Sequence, residues 1–327
     1  MHLKDSLLAT ITAISFLSFQ SCKKDSGPVP DPTPVVKPDT LGVGWTKKVI
    51  PGETSFSDIF FNSSTTGYLA GSNLYRSTNG GNTWDSVSPA QFTNIFITND
   101  NKGFFVGQTT GIVKTINGGN TFVTTSIGDS PSDIFFIDNT TGFCIAATGV
   151  YTTIDAGIVW TKIIPTGSPL PNNSSYRTIA AFNSTTGWVA DNSGIYKTAG
   201  SFANWQHATV TGGTNNTFFA SLFAISASTV YAANERAEIF KSTDGGANFS
   251  FLNKLTDGYF TDIHFLDNLN GYASTGRHVL KTTDGGLNWT KVVSLGQGSL
   301  GELHFTDVNH GWVCSYGNDG VVLTFKQ

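Results

Sequence analysis

Three observations predict an all-β fold, a seven-bladed β-propeller of four-stranded antiparallel blades. One strand pattern recurs seven times, a glycine-aromatic step follows each recurrence at a fixed distance, and the last recurrence lacks a strand that the start of the domain supplies. The recurring anchor is Ile59, Ile95, Ile134, Ile179, Leu222, Ile263 and Leu303, at spacings of 36, 39, 45, 43, 41 and 40 residues, the length of one blade. Eight residues after each anchor stand Gly67, Gly103, Gly142, Gly187, Val230, Gly271 and Gly311, followed by Tyr68, Phe104, Phe143, Trp188, Tyr231, Tyr272 and Trp312. Glycine is frequent (36 of 327 residues) and charge sparse (13%), which suits short strands and tight turns rather than amphipathic helices.

The seventh repeat ends after Val321 to Phe325 without a fourth strand. Trp45-Thr46-Lys47-Lys48-Val49-Ile50 matches the fourth strands Trp160-Thr161-Lys162-Ile163-Ile164 and Trp289-Thr290-Lys291-Val292-Val293. The two ends therefore complete one blade together and hide the sheet edges that an open array would expose. This places the propeller at residues 44–327.

Ahead of it, Lys4 and the apolar run Leu7 to Phe19 have the make-up of an export signal, too short to span a bilayer. The run ends in Ser21-Cys22, and the segment resembles a bacterial lipoprotein signal. That resemblance implies a signal peptide over residues 1–21, acylation of Cys22, and an outer-membrane or cell-surface location on the periplasmic or extracellular side. Residues 22–43, with Pro28, Pro30, Pro32, Pro34 and Pro38, read as an extended linker. Cys144 and Cys314 fall in blades three and seven and are expected to be small buried hydrophobes without a disulfide.

The turn between third and fourth strands repeats as Ser77 to Trp84, Thr115 to Phe122, Thr153 to Trp160, Ser242 to Phe249 and Thr282 to Trp289. Its Asn79, Asn117, Asp155, Asp244 and Asp284 accept backbone N–H groups in a tight turn, its glycines supply positive φ, and its aromatic plugs the blade. In blade four it becomes Thr198-Ala-Gly-Ser-Phe-Ala-Asn-Trp205, which reads as drift in a structural turn. The motif resembles the Asp-box of sialidase-like proteins, and the whole repeat is similar to the photosystem II stability/assembly factor-like family over residues 44 to 327. The resemblance implies a non-enzymatic binding or assembly role and no cofactor. It also implies a basic patch, for which this chain offers only Arg76, Arg177, Arg236 and Arg277, in different blades.

With a net charge of -4, the chain lacks the basic surface that nucleic acid requires. A monomeric scaffold is expected, taking a protein or glycan partner on the face where loops 51–56, 165–177, 210–218 and 253–260 gather. Candidate contacts are Tyr176, Arg177, Phe218, Glu235, Arg236, Tyr259, Arg277 and Tyr316, because loops on a rigid frame carry function. The competing reading is a glycoside hydrolase. Its acids would be Asp58, Asp133, Asp262 and Glu302, but these share one column with Asn94, Thr178 and Ser221, as expected of groups that bond the next blade. Asp262-x-His264 beside Glu302-x-His304 is the one pattern able to hold a metal; its histidine column is otherwise Phe60, Phe96, Phe135, Ala180 and Phe223, which favours packed histidines.

Overall fold

The computed structural model describes residues 37–99, 101–107, 110–164, 178–214, 218–255, 259–317 and 319–327. Within them seven antiparallel sheets follow one another, and each blade's first strand is the innermost. These inner strands are Asp58–Phe61, Phe92–Ile97, Pro131–Phe136, Thr178–Ala181, Phe219–Ala224, Phe260–Phe265 and Leu300–Asp307. Blade seven closes as the sequence predicts: Trp45–Val49 pairs antiparallel with Val321–Lys326, Trp45 opposite Phe325 and Val49 opposite Val321. Cys144 and Cys314 are buried free thiols.

Two outer edges are covered by short extra strands. Thr40–Leu41 pairs antiparallel with Thr290–Ser294 of blade six, so among the described residues strand structure reaches ahead of position 44. Asp39 reinforces this contact, accepting from Gly296 N and pairing with Lys47 at 2.8 Å. Thr209–Thr211 runs parallel to Asn248–Lys254 of blade five, so the segment expected to be loop from residue 210 begins as strand.

The core is not one body but seven apolar slabs, each between neighbouring blades. All seven anchors are buried in these slabs. Strand alternation sends the anchor into a slab and its neighbours toward the channel.

Four of the seven slabs share one device. The second-strand aromatic of one blade stacks on a phenylalanine of the next: Phe104 on Phe136, Tyr231 on Phe265, Tyr272 on Phe305 and Trp312 on Phe61, with centroids 3.6 to 4.1 Å apart. Three of the second-strand rings also reach with a polar end beneath the next blade's turn. Trp188 Nε1 donates to Gly245 O, Tyr231 OH to Gly285 O and Trp312 Nε1 to Gly80 O. A Cβ on Gly246 would overlap the Trp188 indole, at a φ of +83°, so this glycine is needed for close approach as well as for its turn.

Blade four corrects one expectation. Its first strand ends in Ala181, where blades one, three, six and seven carry Phe61, Phe136, Phe265 and Phe305. The rebuilt turn sends Phe202 inward to stack on Phe143, centroids 3.8 Å apart. The altered turn is thus not drift; it supplies the ring that the strand lacks.

Removing such a ring leaves a hole in a fully buried slab. Trp312→Ala and Phe202→Ala are each expected to lower stability by about 3–5 kcal/mol, read as a lower urea midpoint at unchanged m-value.

Candidate functional site

Seven inner strands surround an axial cavity of about 410 Å3. One ring around it is the polar column Asp58, Asn94, Asp133, Thr178, Ser221, Asp262 and Glu302. The acids in it bond across blade boundaries. Asp58 accepts from Ile59 N and from Ile95 N of blade two, both at 2.6 Å. Asn94 accepts from Ile134 N, Asp133 from Ile134 N and Ile179 N, and Asp262 from Ile263 N, Leu303 N and Ser221 Oγ. The column is therefore a blade-to-blade fastener, as its repetition implies.

Enclosure on all sides but the cavity disfavours charge on these acids. Burial pushes Asp58 up to about 8 and Asp133 up to about 7. Burial also raises Asp262 and, reinforced by the neighbouring carboxylates, raises Glu302 well above its ordinary value. The ring thus holds protons near neutral pH.

Two residues along the strands lies an aromatic collar. Phe135, Phe96, Phe60, His304, His264 and Phe223 follow one another with centroid separations of 4.2 to 5.4 Å, leaving Ala180 as the gap. Burial holds His264 well below its ordinary range and His304 down at about 4. Both imidazoles are neutral members of the collar. Among the described residues no three His, Cys, Asp or Glu side chains converge as metal ligands.

On the loop face, Glu235, Tyr259 and Tyr316 come together. They line a cavity of about 470 Å3 between blades five, six and seven, floored by Phe260, Thr261, Gly276, Ser299 and Leu300. Tyr259 is 82% exposed and Tyr316 64%. Their backbones are pinned, Gly276 N donating to Tyr259 O and Tyr316 N to Ser299 O. Phe218 is exposed, and its carbonyl accepts from Glu235 N. Arg236 donates to Thr214 Oγ1 and Arg277 to Gly296 O; neither lines the cavity. Tyr176, Arg177 and Cys22 lie outside the described residues.

The Asp-box residues accept main-chain N–H groups of their own turns. Asn79 and Asn117 accept from Thr83 N and Thr121 N, Asp155 from Ile158 N and Val159 N, Asp244 from Ala247 N and Asn248 N, and Asp284 from Asn288 N. A second set of acids went unread. Glu53 accepts from Ser72 N, Ser72 Oγ and Tyr75 OH; Asp129 from Thr148 N, Thr148 Oγ1 and Tyr151 OH; Asp191 from Ser193 N, Ser193 Oγ and Gly194 N. Each clasps the hairpin between second and third strands. Their signal was Tyr75, Tyr151 and Tyr196 in one column of the third strands, present in the three blades that own such a clasp.

The profile of the family described as Photosynthesis system II assembly factor YCF48 matches residues 37–164, the closing strand with blades one to three. Over that part the chain is similar to this family, and its fold is a seven-bladed propeller. A solved structure of YCF48 bound to D1 peptide superposes with a TM-score of 0.70 at 17% identity, covering 90% of this chain and 99% of that one. YCF48 from Cyanidioschyzon merolae gives 0.68 at 16%, covering 86% and 98%. The GH74 enzyme of Niastella koreensis gives 0.63 at 14%, covering 86% of this chain but 53% of its own. At such identities the likeness speaks for the fold. No curated protein sequence matches the chain.

The proton-holding ring makes stability depend on pH in a definite direction. Asp58 and Asp133 titrate at about 8 and about 7 when folded against about 4 in an unfolded chain, so their contribution is fully present below pH 4 and is lost as pH rises through 7 to 8. The melting temperature is expected to fall between pH 5 and 9. Asp58→Asn, a neutral acceptor like Asn94, should flatten that fall.

Proposed function

We propose that this YCF48-like propeller is a non-catalytic binding or assembly scaffold of the cell envelope, exported and held by a lipid on Cys22, whose loop face takes a segment of a protein partner. The observation that carries this reading is the cavity flanked by Tyr259 and Tyr316. Two exposed aromatics on pinned backbone, with a carboxylate between blades, have the make-up of a recognition hot spot. The solved YCF48 structure with a bound peptide supports a protein rather than a glycan as the first partner to test.

Catalysis is disfavoured by how the acids are used. A glycoside hydrolase sets two carboxyls across an open cleft, about 5 to 9 Å apart. Here Asp58, Asp133 and Asp262 of the channel bond the next blade's main chain, and the acids on the loop face that clasp hairpins are consumed by several donors each.

Affinity capture from an envelope fraction, followed by titration of the captured partner, tests the reading. Tyr259→Ala with Tyr316→Ala should weaken binding at least tenfold without moving the melting temperature. Unchanged affinity would remove this face from the proposal, and turnover of a glycan panel abolished by Asp262→Asn with Glu302→Gln would replace binding by hydrolysis.

A further inference from the structure

The Asp-box turns present their outer residues to solvent, and in most blades those residues are polar. In the column after the first Ser or Thr stand Thr78, Thr243 and Thr283, but Ile116 and Ile154 in blades two and three. After the second glycine stand Asn82-Thr83, Asn120-Thr121 and Ala247-Asn248, but Ile158-Val159 in blade three and Leu287-Asn288 in blade six. The first residue of the fourth strand is Asp85, Thr161, Gln206, Ser250, Thr290 and Thr46, but Val123 in blade two. Leu287 stands apart in blade six; the other five aliphatics fall in the adjacent blades two and three and are 57% to 79% exposed. The fold does not need them, because polar residues make the same turn elsewhere in this chain.

Two bonds join the blades that carry them. Thr125, two positions from Val123 on the same face of its strand, donates to Gly157 O, and Lys114, paired with Val123, donates to Ala156 O. Blade three's turn thus leans on blade two's outer strand.

Exposed aliphatics of this kind mark an interaction site, and two features favour a bilayer as the occupant. The first is size: five side chains on turn tips fall far short of the roughly 20–30 residues a side that a stable protein interface uses. The second is the state of the backbone. Entry into an apolar medium requires every N–H to be paired already. In this turn Asp155 N and Gly157 N donate to Thr153 Oγ1, Ala156 N to Thr140 O, and Ile158 N and Val159 N to Asp155 Oδ1. The N–H groups of residues 155 to 159 can therefore lose their water at little cost, down to the level of the Asp155 carboxylate.

We propose that Ile116, Val123, Ile154, Ile158 and Val159 form a membrane-contact rim, in which the Asp-box tips of blades two and three enter the headgroup–acyl boundary of a lipid bilayer. Depth is limited to the outer few ångströms, as for other interfacial segments. Because the contact is aliphatic, it does not depend on anionic lipid.

The test uses residues 37–327, which contain all seven blades and both strands that close the ring, so that neither an acyl chain nor the apolar N-terminal run contributes. The variant Ile116→Thr, Val123→Thr, Ile154→Thr, Ile158→Asn, Val159→Thr copies residues found in the same columns of other blades. Wild type should co-sediment with phosphatidylcholine vesicles, and the variant's partition coefficient should drop at least tenfold at an unchanged melting temperature. In a second measurement, Ile158→Cys carrying an environment-sensitive fluorophore should shift to the blue on vesicle addition, Cys144 and Cys314 being buried. The proposal is overturned if wild type stays in the supernatant, if the variant partitions equally, or if the label does not shift. It is also overturned if the substitutions convert a dimer to a monomer with no vesicle binding, since a second copy would then cover the rim.

Discussion

The structure depends on one repeated contact: an aromatic ring on the second strand of one blade, inserted beneath the Asp-box turn of the next. A single four-stranded blade has two apolar faces and no core of its own. Seven apolar slabs bury both faces of every blade, five of them through stacked rings, and Trp312 on Phe61 makes the ring of blades end where it began. The indole and phenol donors that reach Gly245, Gly285 and Gly80 fix the depth of insertion, since a buried donor must find an acceptor. The glycines of the turn, the ring and the phenylalanine are therefore one unit shared by two blades.

Most of this was legible in the sequence because repetition converts weak local signals into strong ones. The anchors, the glycine-aromatic step and the split seventh blade follow from spacing alone. The functions of single residues were harder to read. Phe202 looked like a casualty of a decaying turn because its partner, Phe143, lies 59 residues away in sequence and adjacent only in space. Glu53, Asp129 and Asp191 were missed because a clasp needs a hairpin geometry that no fixed offset announces. The candidate cavity was half visible: Glu235, Tyr259 and Tyr316 were singled out as loop residues, but that these three meet, while Arg236 and Arg277 turn to other partners, is a matter of tertiary placement.

The acids illustrate how a fold uses up its charge. In a chain with 23 acidic residues, Asp58, Asp133 and Asp262 of the channel, the hairpin clasps and the aspartates of the Asp boxes each accept several backbone or hydroxyl donors. Carboxylates in this role act as multi-armed acceptors, and the ones enclosed by the inner strands give up their charge to do so. A surface search for paired acids would mistake architecture for chemistry.

The short strand Thr40–Leu41 has a mechanical meaning. A pull applied at the N-terminal end of the described chain is met first by two residue pairs on blade six and by the Asp39 contacts to Lys47 and Gly296. Only beyond them lie the five pairs that join Trp45–Val49 to blade seven. Load reaches a small, renewable attachment before it reaches the seal of the ring. Such an attachment can let go and re-form under a passing tug, while the circle of blades stays closed.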